Sequence, residues 1–100
     1  MELLTVKDFE PHVGTQFTLP GDEQAEALHF TLVEVRPLKV ANLPEGMREP
    51  FELTFREPGP TVYQQGTYRL VHPAMGEQYI FMVPHAYSEA DGATYGAIFN

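Results

Sequence analysis

Few side chains in this sequence could do covalent or metal chemistry. Cysteine is absent, which removes disulfides, thiolate metal sites and thiol nucleophiles together. The only serine, Ser88, stands beside Glu89 and lacks the Gly-x-Ser-x-Gly turn that lifts a nucleophile above a sheet. Of the four histidines, His12, His29, His72 and His85, none form a His-x-x-x-His or His-x-His pair, so no local metal-ligand spacing is present. One metal-dependent enzyme arrangement is left, assembled across strands from His29, His72 and His85 with a carboxylate. The competing reading of these imidazoles is as surface or semi-buried side chains at strand ends, since His72 and His85 each adjoin a proline.

Carboxylates are densest at Asp22-Glu23 and at Glu89-Ala90-Asp91-Gly92. Acid–base pairs of the glycosidase kind need a cleft that drives their pKa values apart, and both clusters fall where the pattern predicts solvated turns. Neither supplies the alternating acids of a calcium loop. The glycines Gly59, Gly66, Gly76 and Gly92 are dispersed turn formers and do not build a phosphate cradle. The expectation is a chain with no catalytic, cofactor-binding or metal-binding residues, and not an enzyme.

Net charge is −8, from 14 acidic and 6 basic residues. The bases Lys7, Arg36, Lys39, Arg48, Arg56 and Arg69 are scattered, whereas nucleic acids and anionic membranes select a clustered basic face. Neither partner is expected. With no run near the roughly 18 apolar residues of a membrane span and an acidic start without a signal peptide's basic and apolar regions, the expected localisation is cytoplasmic at synthesis. Incorporation into an extracellular or tail-like assembly would follow by another route.

The elements that would position any site are nearly all strands. The exception is a short helix from Thr5 to Val13: Thr5 can cap it, Asp8 completes a capping box, and Phe9 and Val13 share a face. Pro11 and Gly14 limit it to a turn or two. From Gln16 the apolar period is two. Phe17 and Leu19 are followed by the turn Pro20-Gly21-Asp22, and then by a long strand from Ala27 to Leu38. Its apolar parity flips between Leu32 and Val33, which marks a β-bulge where a sheet bends. Phe51, Leu53 and Phe55 alternate with Glu52, Thr54 and Arg56 in the next strand; Tyr68, Leu70 and His72 share one face of a fourth. A last strand carries Tyr95, Ala97 and Phe99. About six strands with regular turn signals predict an all-β fold, one domain over residues 1–100, either a small antiparallel barrel or a sandwich.

One strand departs from alternation. Over Gln78 to Pro84, the residues Tyr79, Ile80, Phe81, Met82 and Val83 run apolar on both faces, and such a strand is expected to be buried on both. One face meets the core; the other needs cover from the helix, a loop or another subunit. With the aromatic last strand, this gives a candidate interface of Tyr79, Ile80, Phe81, Met82, Val83, Tyr95 and Phe99, for a protein partner or a second copy in a homo-oligomer. The competing structural reading is a closed barrel with Ile80 and Met82 beneath the helix. A further alternative is a small-molecule-binding barrel whose lumen is lined by Tyr63, Tyr68, Tyr79 and Phe81.

Several segments resemble a family of short bacterial proteins of unknown function, each about the length of this chain. They are Asp8-Phe9-Glu10-Pro11-His12-Val13-Gly14-Thr15-Gln16-Phe17, Leu32-Val33-Glu34-Val35-Arg36-Pro37-Leu38, Pro50-Phe51-Glu52-Leu53-Thr54-Phe55-Arg56, Gln65-Gly66-Thr67-Tyr68-Arg69-Leu70-Val71-His72-Pro73, Phe81-Met82-Val83-Pro84 and Tyr95-Gly96-Ala97-Ile98-Phe99-Asn100. Glu57 departs from the family's pattern, standing where a glycine is expected after Phe-Arg. The resemblance implies a gene beside phage-tail-collar-like or tail-fibre-like proteins, where proteins like this tend to be encoded, and so a structural or accessory part in such an assembly. It carries no catalytic residues over.

Overall fold

Apolar side chains at every second residue commit most of the chain after Gly14 to strands, and the computed structural model, which describes residues 4–100, closes six of them into an antiparallel barrel. Residues 1–3, which open the segment read for a leader, lie outside the described residues. The strands are β1 (Gln16–Leu19), β2 (Leu28–Pro37), β3 (Phe51–Glu57), β4 (Gly66–His72), β5 (Gly76–Ser88) and β6 (Gly92–Phe99). Around the barrel they run β1-β2-β3-β6-β5-β4, with β4 returning to β1. Closure as a barrel decides between the two architectures the sequence left open.

Two bent strands turn the corners. The N-terminal half of β2 pairs with β1, from Gln16↔Thr31 to Leu19↔Leu28, and its C-terminal half pairs with β3. The β2–β3 register shifts between Leu32 and Glu34, leaving Val33 as the extra residue where the parity flip predicted a bulge. Strand β5 repeats the device. Gly76 to Met82 pair with β4, Val83 to Ser88 pair with β6, and a register shift between Pro84 and Ala86 leaves His85 extra. A bulge also tolerates the missing donor of Pro84, so β5 continues through a proline at which the sequence pattern ends it.

The alternation places Phe17, Phe30, Leu32, Phe51, Leu53, Phe55, Leu70, Ile80, Met82, Ala93, Tyr95 and Ala97 inside, all at most 1% exposed. The helix is shorter than its pattern: α1 (Val6–Phe9) passes into a 3₁₀ turn, Glu10–His12. The Thr5 N–H donates to Asp8 Oδ2 at 2.7 Å, the Asp8 side of the expected capping box. Phe9 plugs one barrel end, with ring centroids 5.4 Å from Phe99, 5.8 Å from Phe51 and 6.3 Å from Phe17. Val13 does not share this face. It follows the 3₁₀ turn in extended backbone and stays exposed.

The plugged end is also clasped. Arg48, from the loop between β2 and β3, lies with its guanidinium carbon 5.7 Å from the Phe51 ring centroid and 5.8 Å from that of Phe99. Its Nη1 donates to the Leu4 carbonyl at 2.9 Å and its Nη2 to the main-chain oxygen of Asn100. Attraction between a cation and aromatic faces adds to the hydrogen bonds.

Candidate interaction surface

Because successive side chains of a strand point to opposite faces, burying Ile80 and Met82 turns Tyr79 and Phe81 outward. Tyr79 is 65% exposed and Phe81 52%, and on β6 Ile98 is 58% exposed. Thus, among the described residues, β5 is not covered on both faces. The expectation of two buried faces assumed a cover that neither α1 nor a loop supplies: α1 packs its Phe9 over the barrel end instead. Val83, opposite Gly96, is half-buried between the two strands. The β5–β6 pairing stops at Val83↔Gly96 while β6 stays with β3 as far as Phe51↔Phe99. A cleft of 510 Å³, lined by Phe81, Val83, His85, Gly96, Ile98 and Asn100, lies where the two strands part.

Backbone and side chains shape this cleft together. The imidazole of the bulge residue His85 occupies the space a side chain at position 96 would need: a Cβ built on Gly96 would stand 2.1 Å from His85 Cε1. Beside the cleft, Arg69 of β4 pairs with Glu77 of β5 at 2.9 Å, and the Glu77 carboxylate, accepting the Tyr79 hydroxyl proton in a hydrogen bond, raises the Tyr79 pKa above its ordinary value. The polar groups beside Tyr79 therefore cancel in charge.

The remaining candidate interface residues face inward. Ile80, Met82 and Tyr95 lie in the core, and Phe99 is half-buried, stacked on Phe51 at 4.8 Å with its ring nearly parallel. The Tyr95 hydroxyl accepts the Tyr63 N–H at 2.9 Å, and burial pushes its pKa up. None of the four is open to a partner as Tyr79 and Phe81 are. Ile98 belongs to the outer patch but was missed; its alternation with Ala97 and Phe99 was its signal. The lumen expected of Tyr63, Tyr68, Tyr79 and Phe81 is not formed, because two of these residues point outward and core side chains fill the interior.

The polar candidates are dispersed. Among the described residues no three histidines, aspartates or glutamates are grouped to hold a metal. His29 Nδ1 lies 3.0 Å from Thr18 Oγ1 on the paired strands β1 and β2, His72 sits at the end of β4 opposite Gly76 at the start of β5, and His85 belongs to the bulge in the far half of β5. Ser88 Oγ accepts the Asp91 N–H at 3.0 Å and so caps a turn. Glu57 continues the inward parity of β3 and is 6% exposed; it accepts the Gly59 N–H at 2.9 Å.

Fold and surface together define a small six-stranded antiparallel barrel with a filled interior and an apolar outer strand. The model of DUF6916, a domain of unknown function, matches residues 4–99, and the chain belongs to that family. No curated protein and no solved structure matches it.

Proposed function

We propose that this barrel is a non-catalytic interaction domain that binds a protein partner, or another copy of itself, through the outer face of β5 and β6. The observation supporting this reading is the row of Tyr79, Phe81 and Ile98, each more than half exposed on neighbouring strands. Aromatic side chains at the centre of a patch with polar groups around it make the usual anchor of a protein interface. A stable pair buries roughly 800 Å² per partner, so these side chains act as the apolar centre, with Arg69, Glu77 and His85 in the rim. The resemblance to proteins encoded beside tail-collar-like products supports a role as component or accessory of a phage-tail-like assembly.

Solution mass at high micromolar concentration tests self-association, and co-purification with the neighbouring gene product tests the hetero-partner. Phe81→Lys is expected to abolish whichever association occurs while leaving the fold intact. A protein that stays monomeric and retains no neighbouring product overturns the reading.

A further inference from the structure

The barrel closes between β1 and β4 on very little. β1 is four residues long, and its pairing with β4 consists of Thr18↔Val71. Pro20, which has no N–H to donate, follows β1 directly. Across this seam stands His72, the last residue of β4 and only 4% exposed. Its ring packs on Phe17 of β1 at 4.5 Å between centroids. Its Nε2 lies 2.9 Å from Thr15 Oγ1, and its Nδ1 faces the backbone N–H groups of Ala74 and Met75 at 3.0 and 3.2 Å. One side chain therefore joins the start of β1, the end of β4 and the turn into β5.

These partners fix the protonation state. Backbone N–H groups only donate, so Nδ1 must carry a lone pair. The Thr15 hydroxyl gives its proton to the His12 carbonyl at 2.6 Å, so its oxygen accepts from an Nε2–H. Neutral imidazole protonated at Nε2 satisfies every contact. Imidazolium would set a third N–H against the two already at Nδ1. Among the described residues, the groups around His72 offer no counter-charge: Thr15 just before β1, Phe17 of β1, the turn amides, the imidazole of His12 at 4.6 Å, and the imidazole of His29 on β2, which lines the same surface pocket. Burial first, and the charge His12 can carry second, hold the His72 pKa below its ordinary value of 6.5.

We infer that His72 is an acid-released latch, which holds the β1–β4 seam when neutral and lets go of it when protonated. With the pKa depressed in the closed state, the latch's contribution is complete above about pH 6.5 and is lost as pH falls from there through the closed-state value. Single-proton linkage gives up to about a tenfold rise in seam opening per pH unit over that window.

Imidazole ¹⁵N NMR and amide exchange on the intact chain, from about pH 8 to about pH 4.5, test the latch. The expected result is an Nε2–H tautomer for His72, titrating below 6.5. Corrected for intrinsic rates, Ala74 and Met75 should lose protection on acidification before Phe55 and Tyr95 do. His72→Asn keeps a carbonyl oxygen able to accept both turn amides but cannot titrate, so seam protection should no longer depend on acid. An Nδ1–H tautomer, titration at or above the ordinary value, or the same acid loosening in His72→Asn overturns the inference. Should the variant fail to fold, the wild-type tautomer and titration decide.

Discussion

Strand β3 sends Phe51, Leu53 and Phe55 into the core and presents Glu52, Thr54 and Arg56 outward, where Glu52 pairs with Arg36 of β2. Strand β5 sends Ile80 and Met82 inward but presents Tyr79, Phe81 and Val83 on its other face. The inward faces are interchangeable in kind, since a barrel of this size asks only for volume and apolarity there. The outward faces are not. A polar outer face needs nothing further, whereas an aromatic one leaves apolar area in water that a partner's surface can remove.

Substitutions that ignore this division should show it most clearly. Phe55→Ala, inward on β3, should lower unfolding free energy by about 3–5 kcal/mol in denaturant titration, and Ile80→Ala, inward on β5, by about 2–5 kcal/mol. Phe81→Thr and Ile98→Thr should each change stability by no more than about 0.5 kcal/mol while weakening association. A core-sized loss at Phe81 would mean that the outer face of β5 serves the fold and not a partner.

Backbone positions come next. Gly92 has φ +81°, and a Cβ there would stand 2.3 Å from the Glu57 carbonyl oxygen, so Gly92→Ala should cost about 1–3 kcal/mol. The nearest atoms that Gly96→Ala meets belong to the exposed His85 ring. Its cost should be smaller, and His85→Ala in the same background should recover it in thermal melts. The smallest effects belong to the polar pairs: Glu52→Gln on β3 and Glu77→Gln on β5 should differ little from wild type, and less still in high salt.

The inward half of this comparison was legible in the sequence. Parity located the bulge at Val33 and put Tyr68, Leu70 and His72 on one face of β4, because a one-residue slip would have turned every core side chain to water. The outward half was not. Tyr79 and Phe81 carry the same apolar signature whether a neighbouring element covers them or none does, and cover is a property of the assembled barrel. The second bulge escaped for a related reason. Pro84-His85-Ala86 reads as a strand end, and only pairing with β6 shows that the strand continues. The strand-end reading of His72 as a surface or semi-buried imidazole is corrected by its burial: Thr15, its partner, is 57 residues away, and no local spacing connects them.

The Arg48 clasp has a consequence for topology. One guanidinium reaches both Leu4 and Asn100, so the two ends of the described chain lie side by side at the plugged end of the barrel. A few linking residues there would join them, and the circle could be reopened in the exposed loop between β1 and β2, which adds to neither the core nor the outer patch. The same adjacency would let a host chain enter and leave the barrel at one point, beside the cleft that Asn100 helps to line.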